Sequence, residues 1–105
     1  MMRKRADVND EARYVLDLHG AFVRRIDLSR ADLERANLAH ADAANANFRG
    51  ANFKDADLTG AVLKGAHLRE ARNLTVEQLA GAVIDENTLL PEYLLRDRST
   101  ARGGE

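Results

Sequence analysis

The sequence predicts a solenoid, and three regularities of one internal repeat predict it. A five-residue unit recurs eleven times without insertion over residues 16–70. Position one of the unit is Ala in nine copies, and position three is Leu, Val or Phe in ten. Position two is Asp or Asn in eight copies. Self-similarity at a fixed short period is typical of chains that wind into stacked coils.

The five-residue period excludes a helix and a straight strand. In a helix, at about 100° per residue, each five-residue step drifts by roughly 140°, so the apolar residues would cover every side. In a strand, side chains alternate between faces, and positions three and one of successive units would point in opposite directions. Both positions face inward only if the chain turns a corner once per unit.

The residues around each expected corner are ones that favour turns. Asp and Asn at position two can accept hydrogen bonds from nearby backbone groups. Glycine adopts a positive φ without steric cost, and position five is glycine in four units. These are Gly20, Gly50, Gly60 and Gly65.

The units ADLER, ANLAH, ANFRG, ANFKD and ADLTG resemble the consensus of the pentapeptide-repeat family. The resemblance implies an all-β fold, a right-handed square β-helix with four pentads per coil. Eleven pentads then form just under three coils, and residues twenty apart stack on one wall. Ala43 is the one small residue at position three. Because protein cores are closely packed, we expect Phe48 and Phe53 to fill the volume beside it.

Beyond the repeats, residues 71–96 are expected to form a C-terminal cap with a short helix. Thr75 and Gln78 have the spacing of a capping box, Val76–Ala80 is the predicted helix, and Gly81 is its stop. The stretch NLTVEQLAGAVIDENTLLP also resembles the tail that often closes pentapeptide-repeat domains.

Three consecutive residues near the end of this predicted cap are large and partly or wholly apolar. Tyr93, Leu94 and Leu95 cannot all face inward. Either the tail folds over the cap, or one of the three is exposed for a partner. The family resemblance makes an end-to-end homodimer through this cap plausible, and a capped monomer is the alternative.

The flanks and composition indicate one small domain. Residues 1–15 are expected to be a flexible segment that helps to cover the upper end, and 97–105 a disordered tail. The chain has no cysteine, which leaves no disulfide framework, and it has no apolar run of membrane-spanning length. A basic start is followed by polar residues rather than a signal-peptide core. We therefore expect a cytoplasmic protein without membrane insertion.

No residue pattern in the repeats predicts catalysis, a cofactor or a metal site. Ser29 is the only serine among the eleven units, and no His and Asp accompany it as a triad requires. His19 and His40 are expected on one wall, but two ligands fall short of a metal centre. The glycines lack the spacing of a phosphate-binding loop. The sequence therefore predicts a protein that is not an enzyme and binds no small-molecule substrate.

The best-known activity of the resembled family is mimicry of DNA by proteins that protect topoisomerases such as gyrase. Just under three coils at about 4.8 Å each make a solenoid roughly 13 Å tall. Duplex DNA carries one charge per about 1.7 Å, so a mimic of this height would need about eight negative charges. Residues 16–70 contain eight acidic and eight basic residues, so their net charge is zero. DNA mimicry is therefore the alternative function and is disfavoured, and nucleic-acid binding is not expected.

The favoured function is a protein-binding or scaffolding module with an unknown protein partner. Basic residues cluster on two adjacent expected walls and form a candidate partner surface. They are Arg24, Arg25, Arg30, Arg49, Lys64 and Arg69. Phe22 and Val62 depart from Asp or Asn at position two on one of those walls. This strip is expected to pack against the N-terminal residues Tyr14 and Val15, and docking of a partner there is the alternative.

Overall fold

Each five-residue unit forms one side and one corner of a coil. The computed structural model describes residues 16–95. Position-two residues pair in parallel with the residue twenty positions later, as Asp17 does with Asn37 and Asn37 with Asp57. A coil of twenty residues that turns every five residues has four sides. The solenoid inferred from the period is therefore present, and its coil holds four pentads.

We call the four sides walls and number them in chain order. Wall one contains units 16–20, 36–40 and 56–60; wall two contains 21–25, 41–45 and 61–65; wall three contains 26–30, 46–50 and 66–70; wall four contains 31–35 and 51–55.

Across residues 16–95 the walls are rows of isolated parallel bridges rather than extended strands. Three main-chain hydrogen bonds per unit join successive coils. The N–H of Leu18 donates to the carbonyl of Asn37 at 2.7 Å, and the N–H of Asn37 donates to the carbonyl of Leu16 at 2.8 Å. The third runs from Gly20 N–H to the carbonyl of Ala39 at 2.9 Å. A corner interrupts the pairing after three residues, so no longer strand forms.

Each corner has the geometry of a type II turn. The N–H of position one donates to the carbonyl of position three in the preceding unit, as from Ala21 to Leu18 at 3.0 Å. Position five has a positive φ in all eleven units, including Arg25, Arg30 and Arg35 at 61°. A type II turn requires this conformation at its third residue. Side chains other than glycine adopt it at a cost of about 1–2 kcal/mol each, so the coil imposes the conformation even where the residue disfavours it.

The side chain at position two stabilises the corner, as the sequence predicts for Asp and Asn. In nine units it accepts a hydrogen bond from the N–H of position four, at 3.0 to 3.3 Å. The acceptors are Asp17, Asp27, Asp32, Asn37, Asp42, Asn47, Asn52, Asp57 and, through its ring Nδ1, His67.

The core fills the interior of the coils. Ala at position one and Leu or Phe at position three are buried in the second and third coils, whereas Leu18, Val23 and Leu28 in the first coil are only partly buried. The rings of Phe48 and Phe53 are fully buried, with centroids 5.4 Å apart.

Residues 71–95 continue the ladder with irregular spacing. Arg72 pairs with Asn52 at the regular offset of twenty, one unit beyond the predicted end of the repeat. Helix α1, Val76–Ala80, follows, with the predicted capping box between Thr75 and Gln78. After it the bridges resume from Val62 to Val83 and from His67 to Leu89, at offsets longer than twenty.

Side chains in this segment bond to main-chain carbonyls at the lower end of the stack. The Gln78 side-chain amide donates to the carbonyls of Phe53, at 2.8 Å, and Ala56, at 3.0 Å. The buried Thr88 hydroxyl donates to the carbonyl of Leu63 at 2.9 Å. The Ala56 carbonyl has no main-chain donor among the described residues, so the Gln78 amide satisfies it; the Phe53 and Leu63 carbonyls gain a second donor beside their corner N–H.

The described chain ends in a helical turn over 92–95, which determines where the side chains of Tyr93, Leu94 and Leu95 lie. Leu94 is buried in the core cluster. The Tyr93 hydroxyl accepts from the N–H of Leu74 at 2.9 Å although the residue is 42% exposed, and Leu95 is exposed. The predicted segments 1–15 and 97–105 lie outside the described residues. In the described part of the chain, no helix has the length and apolarity to cross a membrane.

Candidate protein-binding surface

Two of the six predicted surface cations form ion pairs within the chain. The Arg24 Nε donates to the Asp42 carboxylate at 2.8 Å on wall two. On wall three, Arg49 donates to Glu70 at 3.1 and 3.4 Å. The hydrogen bonds and charge of this pair lower the pKa of Glu70 and raise that of Arg49. Both pairs bridge adjacent coils and partly neutralise the basic surface.

The other four cations are exposed and make no ion pair within 4 Å to any residue of 16–95. Arg25 and Lys64 lie on wall two, and Arg30 and Arg69 lie on wall three. Arg25 and Arg30 occupy corner positions with a φ of 61°. The structure thus brings the predicted cations onto two adjacent walls.

Wall two differs from the other walls at its outward position two. The column there runs Phe22, Asp42, Val62 and Val83, joined by successive parallel bridges. Phe22 is 88% exposed, and Val83 is 41% exposed. The column presents apolar side chains where the other walls present mainly hydrogen-bonding ones.

Phe22 and Val62 cannot form the side-chain bond that stabilises the other corners. Among the described residues, no acceptor bonds the main-chain N–H of Arg24 or of Lys64. In the sequence, this surface is marked by Phe22 and Val62, which replace the Asp or Asn usual at position two. The contribution of Val83 was not predicted, because its pairing with Val62 depends on how many residues the preceding helix and turn use.

Wall one brings its two histidines together, with ring centroids of His19 and His40 5.9 Å apart and the rings edge to face. The hydroxyl and N–H of Thr59 lower the pKa of the nearby Asp57, with a smaller contribution from the two histidines. Within residues 16–95, no three His, Cys, Asp or Glu side chains form a group suited to a metal ion.

The carboxylates whose pKa is displaced belong to structural hydrogen bonds. The Ser29 hydroxyl and N–H lower the pKa of Asp27. Burial alone would raise the pKa of Asp85, but bonds from the N–H groups of Gly65 and Asn87 and from Thr88 lower it instead. A carboxylate that acts as a general acid or base near neutral pH needs a raised pKa, whereas the pKa values of these carboxylates are lowered.

The lower end of the solenoid has two open grooves near the predicted dimer residues. One, of about 360 Å³, is apolar and includes Val76, Ile84 and Leu94 in its lining. The other, of about 630 Å³, includes Tyr93 and Leu95. Leu94 is buried and the Tyr93 hydroxyl bonds within the chain, so the exposed predicted contact groups are Leu95 and the rest of the Tyr93 side chain.

A four-sided solenoid of five-residue units, closed by side-chain bonds at its corners, defines a class of repeat protein. The family model of pentapeptide repeats matches residues 16–50 and 36–72 in eight copies. The chain therefore belongs to the pentapeptide repeat family, and its fold is a right-handed β-helix.

Solved structures of family members resemble the chain. The pentapeptide repeat protein Rfr23 from the cyanobacterium Cyanothece 51142 is 33% identical, with a TM-score of 0.62, and the match covers 70% of this chain and 50% of Rfr23. This chain thus spans about half of that protein. The pentapeptide repeat protein alr5209 from Nostoc Pcc 7120 is 27% identical over 87% of this chain and 85% of its own, with a TM-score of 0.31. No protein of curated function matches the chain.

Proposed function

We propose that this chain is a non-catalytic, cytoplasmic protein-binding or scaffolding module that uses its solenoid walls as the binding surface. The observation that carries this proposal is the rigid display of positions two, four and five. Main-chain bonds hold each unit to its neighbouring coils, and a side-chain bond fixes nine of the eleven corners. The backbone of such a wall loses little further freedom when a partner binds, which favours affinity.

A small-molecule substrate or a cofactor is not part of this proposal. The displaced carboxylates serve turns and ion pairs, and their pKa values are lowered. The lining of the apolar groove at the lower end has no charged side chain. These features support recognition by surface complementarity.

The proposal is tested with a photoreactive amino acid at one exposed position-four site on each wall. The matched sites are Thr59, Lys64, Arg69 and Lys54, on walls one to four. Each full-length variant is irradiated in an extract of the native host. We expect protein crosslinks to concentrate on one wall or two adjacent walls. Equal, weak labelling from all four walls would show that no wall is a binding surface.

Topoisomerase protection by DNA mimicry is the alternative, and the charges disfavour it. The repeats have equal numbers of acidic and basic residues, and Asp42 and Glu70 are paired with arginines. A gyrase supercoiling assay separates the two functions. Inhibition, or protection from quinolones, at low micromolar protein would replace the scaffold proposal with the alternative.

We also propose that residues 71–95 close the lower end of the stack as its C-terminal cap. The support is that Leu74, Leu79 and Leu94 join the core cluster, while Gln78 and Thr88 bond to main-chain carbonyls at the end of the stack. These contacts cover both the apolar interior and the polar edge, the two features that a solenoid end leaves open.

A homodimer through this cap is a further proposal, favoured by apolar groups that the cap leaves exposed. Val76 is 52% exposed, and Leu95 is 42% exposed beside the grooves. Sedimentation of the wild type and of a Val76→Glu/Leu95→Glu variant tests it. We expect a concentration-dependent dimer in the wild type alone; a wild type that stays monomeric up to about 100 μM would remove the proposal.

A further inference from the structure

We propose that wall two binds an acidic polypeptide segment that carries apolar side chains. This inference rests on the protein-binding function proposed above and names both the wall and the chemistry of the partner. It combines three observations on one face of the solenoid: an exposed apolar column, two main-chain donors without an acceptor among residues 16–95, and three basic side chains.

The apolar column is the first observation. Phe22 is 88% exposed, Val62 is partly exposed two coils below it, and Val83 extends the column into the C-terminal segment. Neither Phe22 nor Val62 belongs to the hydrophobic core cluster or to the residues packed against it. A large exposed aromatic side chain is the kind of group that dominates binding energy when a partner covers it.

The loss of two corner bonds is the second observation. With Asp or Asn at positions 22 and 62, the N–H groups of Arg24 and Lys64 would gain the acceptor that nine other corners have. Asp or Asn at both sites would therefore stabilise the fold more than Phe22 and Val62 do. Both departures fall on the same wall, so they are explained together by a surface that binds rather than by the needs of the coil.

Charge is the third observation, and it selects an acidic partner. Wall two carries Arg24, Arg25 and Lys64, all exposed. The carboxylates on and below it are engaged: Asp42 bonds to Arg24, and Asp85 of the C-terminal segment accepts the N–H of Gly65 at 3.1 Å. The wall thus offers cations and main-chain donors to a partner carboxylate. A basic segment would meet like charges and find few acceptors.

Wall three carries as many cations but lacks the other two features. Its position-two residues Asp27 and Asn47 accept the N–H groups of their own corners, and His67 does so through its ring. Its outward column is therefore polar within the repeats, and its corner N–H groups are satisfied. The proposed contact is therefore on wall two, because wall three lacks both the apolar column and the N–H groups without an acceptor.

The experiment measures binding of fluorescein-labelled peptides, about a dozen residues long, to the full-length chain by fluorescence anisotropy. One peptide combines glutamates with leucine and phenylalanine. A second replaces its apolar residues by serine, and a third replaces its glutamates by lysine. We expect the acidic, apolar peptide to bind at least about tenfold more tightly than either control peptide.

The protein variants separate the apolar contact from the charge. Phe22→Asn should weaken binding at least about tenfold without lowering the melting temperature, because Asn restores the corner acceptor. Lys64→Gln should weaken binding severalfold, and Lys54→Gln, a matched change on wall four, should leave it unchanged. Val62→Asn supplies an independent second test of the column.

Each other result overturns the inference in a distinguishable way. If Phe22→Asn and Val62→Asn bind like the wild type, the peptide docks elsewhere, and the protein-binding function survives without wall two. If the wild type binds none of the peptides, or all three equally, wall two does not select an acidic, apolar segment. A large drop in melting temperature in both variants would show that the column is structural cover. The wall-resolved crosslinking decides the proposed function independently of all three results.

Discussion

Walls two and three carry the same number of basic side chains but use their outward position two in opposite ways. On wall three, Asp27 and Asn47 stabilise their own corners. On wall two, Phe22 and Val62 cannot, and the N–H groups beside them have no acceptor among the described residues. The two walls have the same main-chain bonds, so the coil tolerates this loss. Residues that the fold does not require are therefore the best guide to binding in this molecule.

The two walls also differ inside the middle coil. Wall two contributes Ala43 at position three, whereas wall three contributes Phe48. Both are fully buried, at 1% and 0% exposure. The small side chain of Ala43 leaves volume on wall two that the large rings of Phe48 on wall three and Phe53 on wall four can fill. The centroids of these two rings are 5.4 Å apart.

The largest expected effect comes from enlarging the small inward residue of wall two. Ala43→Leu should lower the free energy of unfolding by about 1–3 kcal/mol, because the added methyl groups overpack a filled core. Urea unfolding measures the change. Combining Ala43→Leu with Phe48→Leu or Phe53→Leu should recover part of the loss. A gain in stability from Ala43→Leu alone would show that the site is empty and that the rings do not compensate for it.

The next effect concerns the corner of wall two at Gly65. A Cβ there would fall against the Asn45 side chain, with Cγ at 3.2 Å, while a Cβ at Gly20 would have no neighbour within 4 Å. Both glycines have a similar φ, 70° and 67°, so both alanine variants carry the same backbone strain. Gly65→Ala should therefore lose about 1 kcal/mol more than Gly20→Ala in thermal unfolding. Equal losses would mean that Asn45 moves aside freely.

A smaller effect is expected from removing a corner acceptor on wall three. Asn47→Ala should cost about 1 kcal/mol of unfolding free energy, because the N–H of Arg49 loses its bond at 3.0 Å. Asn47→Asp keeps an acceptor and serves as the matched control at neutral pH. If Asn47→Ala and Asn47→Asp were equally stable at neutral pH, the corner bond would contribute nothing to stability. The absence of this bond on wall two would then cost the fold nothing.

The smallest effect is a difference in acid sensitivity between individual corners. The pKa of Asp27 is lowered in the folded chain, so its contribution to stability is present above its unfolded pKa, about 4, and is lost as pH falls below that value. Asp27→Asn should flatten the fall in melting temperature below about pH 4, and Asn47→Asp should steepen it. An unchanged acid profile in both variants would contradict the assignment of these bonds.

The sequence predicted the solenoid, the corners and the helix because each depends on local chemistry. The five-residue period admits no straight element, and the spacing of Thr75 and Gln78 is a local capping signal that the structure contains. The positive φ of position five was predictable only at glycine. Its presence at Arg25 and Glu70 follows from the coil and not from those residues' own preferences.

The irregular end of the solenoid was beyond sequence reasoning because it depends on contacts between distant residues. Gln78 was expected to cap a helix, but its amide also donates to two carbonyls more than twenty positions earlier. The offset at which Leu89 meets His67 depends on how many residues the helix and the following turn use. For the same reason, the sequence showed that Tyr93, Leu94 and Leu95 cannot all face inward but not which one does.

One measurement tests most directly the claim that wall two gives up corner stability for an exposed binding column: the urea unfolding free energy of Phe22→Asn relative to the wild type. We expect a value equal to that of the wild type or up to about 1 kcal/mol higher, because Asn supplies the N–H of Arg24 with the acceptor that nine other corners possess. A loss of more than about 1 kcal/mol would show that Phe22 is a packing residue and would contradict the account.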